Sequence, residues 1–451
     1  MTPLWTVVPF VAYLLLIAVL PLFWARFWDS NLCKLSVGMV AGAPVVSYLL
    51  GGHPGGADLL GDAAREYAAF IALLGALFAI SGGIYLRGAF AGTPAVNTAL
   101  LALGALLASA IGTMGASALL IRPLLRANQR RARRRHLVVF FIFIVSNGGG
   151  LLTPLGDPPL FLGFLRGVPF AWPLRLAGAW AMVNGALLVI FAVLDRAIAR
   201  ADAARSEPAA LPRPDDRAAE AGPAPRTERG EPLRIEGALN FVWLLGVVAT
   251  VCVLGTGARR WLPGELARSA AQVAAMAGFA ALSLATTPHH IRERNRFTWA
   301  PLHEIAVVFA GIFVTMVPAL SFLHEHGASL GIERPSQFFW AAGALSSVLD
   351  NAPTYLTFAS LAAGVAGAGQ LSANDLGALA AHPTGQHLLA AVSCGSVLMG
   401  AITYIGNGPN FMVKAIAEQH HVRMPSFFGY MAWSIAILVP LFAVVALVFF
   451  R

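Results

Sequence analysis

The chain has 451 residues, 57% of them hydrophobic and 12% charged, with 31 Lys and Arg against 22 Asp and Glu for a formal net charge of +9. A soluble globular domain carries about 25% charged residues, so this composition excludes an ordinary water-soluble surface. The basic residues fall in short loops between apolar runs, which argues against nucleic acid as a partner and for a membrane.

The first apolar run, 5–24, has no basic region before it and no small-residue cleavage site after it, and so reads as a first membrane helix, not a cleaved signal peptide. Runs able to cross about 30 Å of hydrocarbon follow at 35–51, 67–86, 137–165 and 174–195, then at 237–257, 268–286, 301–322, 387–418 and 427–450, giving ten crossings. Two more apolar stretches, 95–127 and 337–365, are interrupted near the middle by Gly, Pro, Ser or Asn and fit re-entrant helical hairpins. Gly and Ala recur within the runs, which suits close helix packing in lipid. Segment 196–236, rich in Ala, Pro, Arg, Asp and Glu without apolar periodicity, reads as a flexible linker. Cys33, Cys252 and Cys394 lie in or beside apolar segments, lack metal-ligand spacing, and read as packing residues.

With 95–127 returning to its own side, most Lys and Arg collect in the loops 25–34, 87–94, 122–136, 196–236, 287–300 and 419–425. The positive-inside rule puts these loops and the linker in the cytoplasm. The run from Arg126 to Arg135 is the strongest signal. The expected location is therefore a bacterial-type inner membrane, crossed many times.

The two halves repeat one order of events: an apolar span, a broken hairpin, a long interrupted span and a closing span. The hairpins break at Gly112-Thr-Met-Gly-Ala-Ser117 and at Asp350-Asn-Ala-Pro-Thr354. The interrupted spans read Ser146-Asn-Gly-Gly-Gly-Leu-Leu-Thr-Pro-Leu-Gly-Asp-Pro-Pro159 and Tyr404-Ile-Gly-Asn-Gly-Pro-Asn410. Five crossings per half is an odd number, so the second copy starts from the opposite side. The expected fold is an all-α polytopic membrane protein of two inverted repeats, 1–195 and 237–451, each with five transmembrane helices and one re-entrant hairpin, and with discontinuous helices at the midplane. Unpaired backbone groups survive at membrane depth only when buried in protein or lining a wet cavity. Freed carbonyls there suit cations, and half-helix N-termini suit anions. A kink serving packing alone is the alternative for any one break; four in matching places argue against it.

Asp157 and Asp350 carry the chemistry, because a carboxylate at membrane depth is kept for ions or protons. Burial favours the neutral acid and a nearby cation the ionised one, so a single Asp can exchange a proton for a metal ion. Each could instead reach water or cap a half-helix. Asn147, Asn351, Asn407 and Asn410, with Ser146, Thr153 and Thr354, offer neutral oxygens of the kind hard cations such as sodium favour, or else helix caps. Thr113 and Ser117 are the first-hairpin candidates. Glu304 is either interfacial or reaches the cavity, and Lys414 is either a counter-charge or snorkels to the surface; Arg122 shares that ambiguity. No nucleotide-binding loop, metal-ligand cluster or nucleophile elbow occurs, so neither an enzyme nor a bound cofactor is expected.

The strings Ser146–Pro159, Leu349-Asp-Asn-Ala-Pro-Thr-Tyr-Leu356 and Ile402-Thr-Tyr-Ile-Gly-Asn-Gly-Pro-Asn-Phe411 resemble the ion transporter superfamily. That group holds NhaD-type sodium/proton antiporters, arsenite permeases, and citrate and dicarboxylate carriers. The chain looks most similar to the sodium/proton antiporter and citrate-type branch. The resemblance covers both halves without the linker. It implies a paired-hairpin fold, homodimers, alternating access of elevator type, and a site at the hairpin tips and broken spans. The dicarboxylate branch has Ser-Asn-Thr at its tips, from which this sequence departs. The leading expectation is a sodium/proton antiporter in which Asp157 and Asp350 alternate between proton and sodium, with membrane lipid as surroundings. A citrate or other organic-anion carrier is the alternative and arsenite export a third reading; a non-transporting scaffold or lipid enzyme would lack use for the breaks.

Overall fold

The computed structural model describes residues 2–28, 30–87, 91–205, 234–254, 264–326, 329, 331–367 and 376–451. Its main helices are α1 (Val8–Phe23), α2 (Asn31–Gly52), α3 (Gly56–Ser81), α4 (Pro94–Ile111), α5 (Thr113–Ala127), α6 (Arg135–Ile144), α7 (Pro158–Leu165) and α8 (Ala177–Arg205) in the first half. The second half has α9 (Leu239–Cys252), α10 (Glu265–Thr286), α11 (Ala300–His326), α12 (Pro335–Val348), α13 (Asn351–Gly367), α14 (Gly385–Met399), α15 (Gly408–Gln419) and α16 (Phe427–Phe449). Among the described residues ten helical segments are long and apolar enough to cross a membrane. The protein is an all-α polytopic membrane protein. A two-stranded antiparallel ribbon, β1 (Tyr85–Arg87) with β2 (Arg234–Glu236), joins the end of α3 to the return from the linker region.

Several boundaries differ from the sequence reading, each for a traceable reason. Helix α3 begins at Gly56, well before residue 67, although Asp58, Asp62, Arg65 and Glu66 interrupt the apolar pattern. Pairing accommodates part of this charge, Asp62 with Arg65 and Glu66 with Arg166. Helix α8 runs past residue 195 to Arg205, carrying Asp195 and Asp202 against Arg131 and Arg133. The first residues assigned to the linker are thus helical, the last form β2, and 206–233 lie outside the described residues. The span expected over 237–257 is the 14-residue α9, with 255–257 outside the described residues. Conversely, the hairpin arm α4 is itself 18 residues long and apolar, but the chain reverses after it at Gly112.

Helix α11 lies against α2, α3 and α13, and α3 against α10, so one group of helices flanks the hairpins and broken spans. Burial sets the broken spans apart. The broken spans Arg135–Leu152 and Gly385–Ile402 are 89% and 83% buried, whereas the other spans are 17% to 56% buried. Interrupted backbone is therefore wrapped in protein, as its unpaired groups require.

At the open end of the first hairpin a buried polar cluster fixes α4, α5, α6 and α8 together. The Asp195 carboxylate, fully buried, meets His136 Nε2 at 2.8 Å and Arg131 at 2.5 Å and accepts from Asn97 Nδ2 at 2.9 Å. Asn97 and Asn128 exchange amide hydrogen bonds beside it. Removing one partner from a buried ion pair costs about 3–5 kcal/mol, because the survivor stays desolvated. Asp195→Ala is expected to lower stability by that order, read as the thermal unfolding midpoint in detergent, and Asp195→Asn by less.

Candidate functional site

Both broken spans are built from one local device. After α6 the chain makes a 3₁₀ turn over Gly148–Leu152, extends at Thr153, and re-enters a helix at Pro158 with Asp157 as N-cap. After α14 it makes a 3₁₀ turn over Gly400–Ile402, extends at Thr403, and re-enters at Gly408 with Asn407 as N-cap. The Thr153 hydroxyl donates to the Ser109 carbonyl at the end of α4, and the Thr403 hydroxyl to the Ser347 carbonyl at the end of α12. Each threonine oxygen also accepts from the loop that follows, from Leu155 N at 3.2 Å and from Gly406 N at 3.1 Å. The loops fold back tightly on their own turns. A Cβ on Gly156 would lie 2.1 Å from the Gly150 carbonyl oxygen, and one on Gly406 would lie 2.6 Å from that of Gly400. Sequence reasoning named Thr153 but missed Thr403 and Ser109. The signal was present in the equal spacing of Thr153 to Asp157 and Thr403 to Asn407.

These turns deliver four helix N-termini to one carboxylate. Asp157 caps α7. Thr113, the first residue of α5, donates its hydroxyl to Asp157 Oδ1 at 2.9 Å. Asn351, the first residue of α13, donates Nδ2 to Asp157 Oδ2. Asn407, the cap of α15, donates Nδ2 to Asp157 Oδ1 at 3.3 Å. All these residues are at most 2% exposed. The donors to Asp157 are thus neutral, and the positive ends of four helix dipoles face its charge. Asn351 Oδ1 is left buried without a hydrogen-bond partner. Asp350 caps α13 by accepting from Ala352 N at 3.1 Å, and it lines the same small cavity as Asp157.

The remaining candidates divide in two. Asn147 donates Nδ2 to Asn410 Oδ1 at 2.7 Å and accepts from Asn407 at 3.2 Å, while the Ser146 carbonyl accepts from Asn407 at 3.0 Å. Asn410 also donates to the Gly400 and Thr403 carbonyls. These residues form a carboxamide chain behind Asp157 that ties the two broken spans together. The Ser117 and Ser146 hydroxyls share a hydrogen bond of 2.9 Å in the same layer. By contrast, the Thr354 hydroxyl donates to the Asp350 carbonyl within its own helix, at 3.0 Å. Glu304 pairs with Lys34 at 2.6 Å and Lys414 with Glu418 at 2.9 Å, so both are occupied away from Asp157.

Two connected cavities reach the site. The inner one, about 50 Å³, is walled by Thr113, Asp157, Asp350, Asn407 and the apolar side chains Phe70, Leu77 and Phe309. That exceeds the ~10–15 Å³ one water needs and suits an ion with little water. The outer one, about 1280 Å³, shares Asp350, Asn407 and Gly408 with it and extends to Arg122, Arg296, Lys414 and Glu418. Small-molecule sites are typically ~300–1,000 Å³, so this vestibule has room for an organic solute.

Residues 1–450 match the family described as "Putative citrate transport". The chain belongs to that family. Among curated proteins none matches it. Family membership over nearly the whole chain, with ten helical segments among the described residues long and apolar enough to cross a membrane, makes the protein a multi-pass membrane protein and a secondary transporter.

The turn glycines give a direct check of the site's construction. Gly156→Ala and Gly406→Ala force a side chain into backbone and are expected to destabilise by about 1–3 kcal/mol or more. Gly185, in α8, has nothing within 4 Å of a Cβ, so Gly185→Ala is expected to leave stability unchanged or raise it by up to ~1 kcal/mol. Thermal unfolding of the three variants in detergent measures the contrast.

Proposed function

We propose that the protein carries a citrate-class organic anion across a bacterial-type plasma membrane, coupled to cations held around Asp157 and Asp350. The observation that carries this is the joining of two cavities of different size and chemistry. The inner pocket suits an ion, with the carboxylates of Asp157 and Asp350 and the Thr113 hydroxyl on its wall. Hard cations favour such oxygens. The vestibule suits a polyanion, which two bare carboxylates would repel and which bound cations and four helix N-termini would attract. The family description favours the same substrate. With the run Arg126–Arg135 facing the cytoplasm, the vestibule is open inward and the two halves alternate access about the pocket.

Sodium/proton antiport is the second reading. It is favoured by the neutral donor set around Asp157, which leaves a proton or a sodium ion to balance that charge.

Uptake of radiolabelled citrate into proteoliposomes, with sodium and proton gradients varied separately, tests both. Carriage of citrate predicts gradient-dependent accumulation, reduced about tenfold or more by Asp157→Asn, the loss expected from weakening charge-assisted contacts. Sodium/proton exchange without citrate accumulation would replace this reading with the second.

A further inference from the structure

The vestibule wall has an uneven charge balance. Of its charged side chains, Lys34 pairs with Glu304 and Lys414 with Glu418. Asp350, at the inner end, caps its own helix. Two charges remain, Arg122 on α5 and Arg296 in the loop before α11. Among the described residues neither has a carboxylate within ion-pair distance, and the Arg122 Nε is buried with no acceptor. The charges acting on Arg122 worsen the imbalance. Arg122 feels Arg296 and Arg126, and Arg126 is held by neutral acceptors, the Tyr85 hydroxyl at 2.6 Å and the Leu86 carbonyl at 2.9 Å.

Three like charges gathered without a carboxylate are a standing cost that a bound anion removes, and the planar guanidinium fork suits a carboxylate. Arg296 has an exposed side chain on a held backbone, left-handed with φ 47°, between Asn295, which donates to the Gly82 and Ile84 carbonyls, and Phe297, whose N–H donates to the Arg292 carbonyl.

We infer that Arg122 and Arg296 form an outer carboxylate-binding subsite on the vestibule wall, separate from the ion pocket at the hairpin tips. Arg122 is nine residues along α5 from Thr113, about 13.5 Å at the helical rise. The subsite therefore lies outward of the pocket along α5 and captures the anion before it meets the cation-loaded pocket. The inference rests on the organic-anion reading above and names the residues that select for negative charge.

The test uses the full chain. Citrate binding to detergent-solubilised protein is measured by isothermal titration calorimetry for the wild type, Arg122→Gln, Arg296→Gln and Arg122→Lys. Citrate uptake is measured for the same four in proteoliposomes. The glutamine variants are expected to lose about tenfold or more in affinity, the value of a charge-assisted contact. Their KM should rise in step while kcat stays within about twofold, since the ion pocket is untouched. Arg122→Lys should retain part of the affinity, which a structural role for the fork would not allow. Equal citrate affinity in wild type and Arg122→Gln, or no binding by the wild type, overturns the subsite. Arg122-dependent binding without uptake sustains the subsite and overturns the transport reading, and uptake indifferent to both arginines does the reverse. Binding lost only when anionic phospholipid is washed away, and not restored by citrate alone, assigns the arginines to lipid headgroups and overturns the proposal.

Discussion

A single buried carboxylate organises the centre of this protein. Asp157 is 1% exposed and receives hydrogen bonds from Thr113, Asn351 and Asn407. Each donor stands at the start of a different half-helix, and Asp157 itself starts a fourth. Such a charge is expensive at membrane depth. It is offset without any basic residue, by three neutral donors and the positive ends of four helix dipoles. Because the donors come from both hairpins and the second broken span, and Asp157 itself from the first, the charge of one side chain bears on the relative placement of all four. Anything that changes that charge, a proton or a cation, acts on the same four elements.

The surroundings make this arrangement tolerable. The two broken spans are the ones most enclosed by protein, and both of their turns repeat a threonine hydroxyl seated on a hairpin carbonyl with a glycine folded against its own 3₁₀ turn. The carboxamide chain through Asn147, Asn407 and Asn410 makes the centre a polar unit with internal bonds. Its boundary with α3 and α11 at the pocket is apolar, formed by Phe70, Leu77 and Phe309. Apolar contact is non-directional, so this boundary can slide without breaking the bonds around Asp157. Farther out the Arg166–Glu66 pair joins α3 to the end of α7, a directional contact at 3.0 Å that a sliding movement would have to open.

Much of this plan is legible in the sequence, for a physical reason. Gly148-Gly-Gly150, Pro154 and Pro158-Pro159 cannot continue a helix, so the breaks announce themselves against an apolar background. Asp157, Asn351 and Asn407 stand out because polar groups are rare there. Thr113 is a candidate from the hairpin break alone: a threonine in an apolar helix resembles a packing residue, and its position after Gly112, with φ 82°, turns its hydroxyl toward Asp157. Thr354 shows the converse, since an equally plausible oxygen is used by its own helix. The ends of α3 and α8 are hidden because their charges, Glu66, Asp195 and Asp202, resemble loop residues until their distant arginine partners are known. Pairings such as Lys34 with Glu304 join residues far apart in the chain and leave no local trace.

The account stands or falls on Asp157 as the seat of a bound cation. Thermal unfolding of the detergent-solubilised chain, titrated with sodium at constant ionic strength against choline, addresses this without assuming an organic substrate. A ligand that binds only the folded state raises stability with its concentration. The account predicts a sodium-dependent rise in the midpoint for the wild type and none for Asp157→Asn. An equal rise in both proteins would contradict it.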